Sequence, residues 1–335
     1  MNLQYRIDLL SRLGDYMLSA DEKWQQIKEK ASYENGWFTP EFTALSISNI
    51  SSQLLSKQKL TNWVKPFFAE KQLSQPLQIG IIMAGNIPLV GFHDFLSVFL
   101  SGHKMLIKPS LKDSVLIKHL AEKLNEWEPE LYQQIQFAEI LKGCDVYIAT
   151  GSNNSSRYFE YYFGKYPHII RRNKTSVAIL DGTETKEEME ALADDVFQYF
   201  GLGCRNVSKL MVPEGFDFVR LLDAFSKYLY LADHHKYKNN YDYNLALHIL
   251  NKKYYMTNGA ILLTEDSSVF SPISQLHFEY YKNAAALNEI LQRDNEKIQA
   301  VAGKSHIPFG HTQCPGLIDY ADGINTLEFL ASLTI

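Results

Sequence analysis

Apolar positions fall first at helical spacing. Leu3, Ile7, Leu10, Leu13 and Met17 recur at steps of three and four, so the chain opens with a helix bearing one apolar stripe. After Asn35-Gly36, the segment Trp37-Phe38-Thr39-Pro40-Glu41 has the form of a helix start. Thr39 can cap, Pro40 suits the first helical position, and Glu41 favours the positive end of the helix. This predicts a second helix to roughly Ser56, and the amphipathic stretch Leu60 to Phe68 predicts a third.

At Leu77 the period changes. Leu77-Gln78-Ile79-Gly80-Ile81-Ile82-Met83-Ala84 is an apolar run broken only by Gln78 and Gly80, as in a buried strand, and Gly85-Asn86 ends it. A helix from Pro88 to Leu100, a strand Met105 to Lys108, and a helix opened by Asp113 and reaching Trp127 follow. Then come strands Ile135 to Phe137 and Val146 to Thr150, a helix from Ser155, and a strand Val177 to Leu180. Strands alternating with helices predict right-handed crossovers and a mainly parallel sheet covered on both faces. Beyond Asp181 the cycle restarts with a helix Lys186 to Phe200, the turn Gly201-Leu202-Gly203-Cys204, a strand Lys209 to Val212 and a helix Phe216 to Leu229. The Tyr/His/Asn/Lys-rich stretch Tyr228 to Tyr243 is the least regular, and is expected to be a surface excursion or lid.

The length of 335 residues fits two domains or one large one. With 33 basic groups against 38 acidic, the net charge of −5 gives no electrostatic reason to expect nucleic acid or an anionic membrane as main partner. Small molecules fit better. The three cysteines, Cys144, Cys204 and Cys314, make no disulfide framework and suit a reducing compartment. Arg6 and Asp8 interrupt what would be a signal core, and no run reaches the ~20 apolar residues of a membrane span. A cytoplasmic protein is expected.

Absent motifs narrow the chemistry. The sequence has no phosphate loop ending Gly-Lys-Ser/Thr, no His-Glu-x-x-His and no Gly-x-Ser-x-Gly elbow. His234-His235 has only Asp233 beside it, so no metal site is expected. Cys204 is the thiol of interest, because Gly201 and Gly203 permit tight backbone geometry and close substrate approach, and Arg205 follows. On its own it reads first as a buried cysteine packed at a helix-to-strand turn.

The context of Cys204 adds to this. Met83-Ala84-Gly85-Asn86-Ile87-Pro88, Ile107-Lys108-Pro109-Ser110 and Ala149-Thr150-Gly151-Ser152 precede it in the order of an aldehyde-dehydrogenase-type domain. With these segments the sequence resembles the aldehyde dehydrogenase superfamily. Within it the likeness is to the acyl-CoA reductase family that includes the fatty-acid reductase subunit of bacterial luminescence systems. Glu34-Asn35-Gly36-Trp37-Phe38 and Tyr320-Ala321-Asp322-Gly323 resemble that family's flanking regions, and the likeness is strongest from Ile79 to Pro213.

The resemblance implies an aldehyde-dehydrogenase-like α/β fold: two α/β domains with mainly parallel sheets, preceded by N-terminal helices. The expected divisions are an N-terminal helical segment 1–75 packing on the cofactor domain, a nicotinamide-cofactor-binding domain 76–182 and a catalytic domain 183–310 carrying Cys204. A C-terminal segment 311–335 can return to the cofactor domain. Cys204 would be the nucleophile that takes the acyl group from acyl-CoA as a thioester. The side-chain amide of Asn86, with the backbone N–H of Cys204, would donate to the oxyanion. Taken alone, Asn86 is a turn residue after a strand.

Lys108 matches the superfamily lysine that binds the adenosine ribose. Many NAD-preferring relatives carry a glutamate three residues on, where this chain has Leu111 and so no carboxylate to repel a 2′-phosphate. NADPH is therefore the expected cofactor, with NADH as the alternative. Ser110 and Lys112 could help to hold the phosphate. Gly151 and Ser152 would place helix N–H groups against the pyrophosphate, although Ser152 equally suits a helix cap.

The segment Ile170-Arg171-Arg172-Asn173-Lys174 lies where hydrolytic relatives have Glu-Leu-Gly-Gly-Lys, so the water-activating glutamate is missing. That fits an enzyme exchanging its thioester with CoA, and also an inactive relative. Arg171 and Arg172 are either solvated or face CoA phosphates. The expected activity is NADPH-dependent reduction of a fatty acyl thioester to an aldehyde. The alternatives are an acyl carrier or acyltransferase without redox chemistry, and a non-catalytic structural relative. Acyl-CoA is the expected substrate, and an acyl-protein synthetase, a carrier protein or a second copy of the chain is an open partner.

Overall fold

Three side-chain caps start the first three helices. Asn2, Asp21 and Thr39 accept from the backbone N–H groups of Tyr5, Trp24 and Phe42 at 2.8, 2.9 and 3.3 Å, each satisfying a donor left over at a helix N-terminus. The helices are α1 (Leu3–Leu18), α2 (Glu22–Glu34), α3 (Pro40–Leu54) and then α4 (Lys57–Phe68). The apolar stripe of α1 turns inward, with Ile7, Leu10, Leu13 and Met17 all buried. These elements belong to a computed structural model that describes residues 1–68 and 75–333.

The chain divides into two units, residues 1–173 with 315–335, and residues 174–314. The first continues through β1 (Gln78–Ile82), α5 (Phe92–Ser101), β2 (Lys104–Lys108), α6 (Val115–Trp127), β3 (Ile135–Phe137), β4 (Val146–Thr150), α7 (Asn153–Phe163) and β5 (His168–Arg171). Its strands form one parallel sheet in the order β3-β2-β1-β4-β5. Ile79, Ile81, Ile107 and Ile148 are fully buried in that sheet. Removing each such side chain from water contributes about 1.5–3 kcal/mol.

The second unit runs β6 (Thr175–Ile179), α8 (Lys186–Phe197), β7 (Val207–Pro213), α9 (Phe218–Ala224), α10 (His235–Leu250), β8 (Met256–Thr257), β9 (Leu262–Glu265), β10 (Gln275–Tyr281), α11 (Ala284–Asp294) and β11 (Ile298–Ala302). Its sheet order is β11-β6-β7-β10-β9-β8, parallel except where β8 meets β9. The chain then returns to the first unit, where α12 (Thr326–Ser332) packs on α4 and α5. There the indole N–H of Trp63 donates to the Tyr320 hydroxyl at 3.2 Å.

Several expectations need correction. The strand Thr175–Ile179 pairs with β7 and β11, so it opens the second unit rather than closing the first, and the division falls after Asn173 instead of residue 182. Alternation of strands and helices does not specify which sheet a strand joins. The second unit likewise ends at Cys314 rather than 310. The expected lid is instead largely helix: α10 buries Tyr237, Tyr241, Asn244 and His248 along one face. Helix α8 stops at Phe197, three residues short of the expected end, because Tyr199 and Phe200 have φ of 54° and 58°. Helix α2, strand β5, strands β8 to β11 and helices α11 and α12 were not expected.

Candidate active site

The parallel sheet of the first unit brings five of the six candidate residues to one edge. β2 and β4 flank β1, and all three strands run the same way, so the segments leaving their C-terminal ends are neighbours. The winding reverses between β1 and β4, which opens a crevice at that edge of the kind that binds nucleotides in doubly wound sheets. Asn86 lies in the loop after β1 and is half-buried. Lys108 ends β2 with an exposed side chain, while its carbonyl accepts from the Met83 N–H at 3.1 Å.

The loop after β1 sits directly on the turn after β2. A Cβ on Gly85 would lie 2.5 Å from the Ser110 Cβ, so glycine is required for this approach. The Ser110 hydroxyl accepts from the Lys112 N–H at 3.2 Å, and Leu111 is 97% exposed. At the end of β4, a Cβ on Gly151 would meet Phe159 at 2.8 Å and Ser155 at 2.9 Å. Ser152 caps α7, accepting from the Ser155 N–H at 3.2 Å. The residues fit a nicotinamide dinucleotide in this respect: Gly151 keeps the backbone close to the start of α7, where first-turn N–H groups favour an anion.

Asp113 is a residue of this region that sequence reasoning assigned only to a helix start. Ser114 stands at the N-cap of α6, while the Asp113 carboxylate accepts from the Leu89 N–H at 2.7 Å. Burial pushes the Asp113 carboxyl up to about 7, against the Leu89 hydrogen bond that lowers it. An aspartate before a helix reads as a cap, and nothing in the sequence indicates a donor 24 positions upstream.

The segment Ile170 to Lys174 divides between two environments. Arg171 is neither solvated nor phosphate-facing: it is 4% exposed, donates to Asp94 at 2.5 Å and to the Thr326 hydroxyl at 2.8 Å. Its place in β5 aims it into the unit, as strand alternation dictates. Arg172 is exposed and pairs with Glu160 at 2.6 Å. Ile170 lies within β5 and supplies no base.

Cys204 belongs to the second unit, in the turn between α8 and β7, and is half-buried. Tyr199, Phe200 and Gly201 are three successive left-handed residues, a conformation that costs a non-glycine residue about 1–2 kcal/mol. Both aromatic side chains are buried, and the Phe200 ring lies 4.5 Å from the His234 ring. Asn206 ties the turn together. Its side-chain oxygen accepts from the Gly203 N–H at 2.8 Å, and its amide donates to the carbonyls of Asp195 and Gln198 at 3.0 and 2.8 Å. The Ser176 hydroxyl of β6 donates to the Cys204 carbonyl at 3.1 Å.

Among the described residues no group of His, Cys, Asp and Glu could hold a metal ion, and no helix is long and apolar enough to cross a membrane.

Residues 49–215 match the family described as acyl-CoA reductase (LuxC). No curated protein matches the chain. Solved structures share its fold. The NAD-dependent aldehyde dehydrogenase from Sinorhizobium meliloti is 14% identical with a TM-score of 0.68, over 93% of this chain and 72% of its own. Aldehyde dehydrogenase 21 from Physcomitrella patens, solved with succinate, is 12% identical with a TM-score of 0.68, over 91% and 74%. An aldehyde dehydrogenase C variant from Pseudomonas syringae, solved with NAD+ and octanal, is 10% identical with a TM-score of 0.66, over 90% and 72%.

Proposed function

Because the chain belongs to the acyl-CoA reductase (LuxC) family, within the aldehyde dehydrogenase superfamily, we infer that it reduces an acyl thioester to an aldehyde through an acyl-Cys204 intermediate. The observation that carries this is the family match itself, since Asn86, Lys108, Ser110, Gly151, Ser152 and Cys204 all lie inside residues 49–215.

The Cys204 thiolate attacks the thioester carbonyl, forming a carbon–sulfur bond as the bond to CoA breaks and CoA leaves as thiolate. The Asn86 amide donates to the oxygen on which charge develops, a contribution of about 3–4 kcal/mol for one such donor. When bound, a reduced nicotinamide would supply the hydride that takes the Cys204 thioester to a thiohemiacetal, leaving the nicotinamide oxidised. The thiohemiacetal on Cys204 then breaks its carbon–sulfur bond, releasing aldehyde and restoring the thiolate. Lys108 would hold the adenosine ribose, and the edge at Gly151 and Ser152 would take the pyrophosphate. NADPH is the preferred cofactor, supported by the absence of a carboxylate at Leu111 and by the exposed cations Lys108 and Lys112 beside it. The missing glutamate at Ile170 leaves the thioester without a water-activating base, which suits exchange with CoA. The acyl group is fatty, in keeping with the family, and the protein acts in the cytoplasm.

The test is the intact mass of the wild type and of Cys204→Ala after incubation with hexadecanoyl-CoA or octanoyl-CoA, with and without NADPH. An adduct on the wild type alone, discharged by NADPH as aldehyde appears, is the expected result. An adduct that persists with NADPH would replace the reductase with an acyl carrier. An equal adduct on Cys204→Ala would remove the nucleophile.

A further inference from the structure

The loop that carries Asn86 is short and bent, and two buried side chains hold its far end: the Ser46 hydroxyl donates to the Pro88 carbonyl at 2.7 Å, and Asp113 accepts from the next N–H. Leu89 has φ of 57°, in the region that a branched apolar residue occupies only when its surroundings impose it. Its N–H points to Asp113 Oδ2 at 2.7 Å, and Asp113 is 6% exposed. The other carboxyl oxygen, Oδ1, is buried without a hydrogen-bond partner. A buried carboxyl left half-satisfied is costly, and the α6 start makes no use of it, because Ser114 occupies the N-cap. At the other end of the same loop, Gly85 rests on Ser110 and on Asp113, whose Cβ would stand 3.2 Å from a Cβ at position 85. Asp113 thus touches both ends of the segment from Gly85 to Leu89, with Asn86 between them.

We propose that Asp113 is a positioning residue, holding the Gly85–Leu89 loop in the bent form that presents the Asn86 amide. The proposal rests on the oxyanion role given to Asn86 above. The carboxyl need not touch substrate; it fixes a backbone N–H three residues from the donor. Misplacement of a catalytic group by about 1 Å costs about 10²-fold in rate, so loss of this anchor is expected to be expressed at Asn86.

A double-mutant cycle tests it, with single-turnover acylation by octanoyl-CoA read from intact mass. Asn86→Ala is expected to slow acylation by about 10²- to 10³-fold. Asp113→Ala should slow it by about 10²-fold in the wild type, but by less than about threefold when Asn86→Ala is already present. Asp113→Asn retains an oxygen that accepts from the Leu89 N–H and should acylate within about fivefold of wild type. Equal slowing by Asp113→Ala in both backgrounds would overturn the positioning role and leave that of Asn86 intact. Wild-type acylation by Asn86→Ala would overturn the oxyanion role and the proposal with it. If Asp113→Ala does not fold, Asp113→Glu, which displaces the acceptor by one methylene, takes its place in the cycle. Amide hydrogen exchange in the peptide holding Leu89 reads the same anchor without chemistry. It should quicken at least tenfold in Asp113→Ala and remain near wild type in Asp113→Asn, and unchanged exchange in Asp113→Ala would also overturn the proposal.

Discussion

Asp113→Asn should change how stability depends on pH. The folded carboxyl holds its proton to about pH 7 because it is buried, whereas the unfolded chain releases it near 3.8. Between those values the folded state binds one proton more, so the stability this group contributes is complete below about pH 4 and is lost as pH rises to about 7. The difference of about 3 pKa units corresponds to about 4 kcal/mol, of which about 3 kcal/mol falls between about pH 5 and about pH 8. The charged side chains bordering the same small cavity, Glu34 and Lys112, are common to both proteins and cancel in the comparison. Asparagine cannot titrate, so wild-type stability minus that of Asp113→Asn should fall by about 3 kcal/mol across that range. All four tryptophans, Trp24, Trp37, Trp63 and Trp127, lie in the first unit, so urea unfolding followed by tryptophan fluorescence reports on that unit alone. Parallel stability curves for the two proteins would refute the reasoning, since a solvated or ion-paired carboxyl would give no such divergence.

Two further outcomes follow from the same unit. Leu111→Glu places a carboxylate beside the expected 2′-phosphate, and at this exposed position should shift the ratio of kcat/KM for NADPH over NADH about tenfold towards NADH; an unchanged ratio would put the ribose elsewhere. Arg171→Met leaves Asp94 charged, buried and unpaired, at a cost of about 3–5 kcal/mol in unfolding by urea. Adding Asp94→Leu should recover most of it, and a double variant as unstable as the single one would show that the pair is not the source.

Several elements with aliphatic buried faces could be read from the sequence almost to the residue, although β9 and α12, aliphatic too, were not. β3 and β4 end where alternation and turn residues place them, and α1 keeps its stripe of Leu, Ile and Met. Two of the failures share a cause. Helix α2 buries only Trp24 and Ala31, too little for a periodic apolar signal. In α10 the buried face consists of Tyr237, Tyr241, Asn244 and His248, at helical spacing but with polar atoms that disguise it. The candidate residues after β1, β2 and β4 stood out through the family resemblance of their segments, and the ends of those strands in one parallel sheet bring the segments to one edge. Asp113 and Arg171 did not, because a carboxylate and a guanidinium look alike in sequence whether they face water or a partner 24 or 77 positions away.

The turn bearing Cys204 is fastened in part through main-chain atoms and the Asn206 carboxamide: Ser176 donates to the Cys204 carbonyl, the Gly203 N–H to Asn206, and Asn206 to the carbonyls of Asp195 and Gln198. These fastenings do not depend on which side chain stands at position 204, the place of the proposed nucleophile. A change of that one codon would then remove the proposed nucleophile while the bonds through the Cys204 carbonyl, Gly203 and Asn206 stay in place, so loss of the proposed reaction and loss of the fold are separable events.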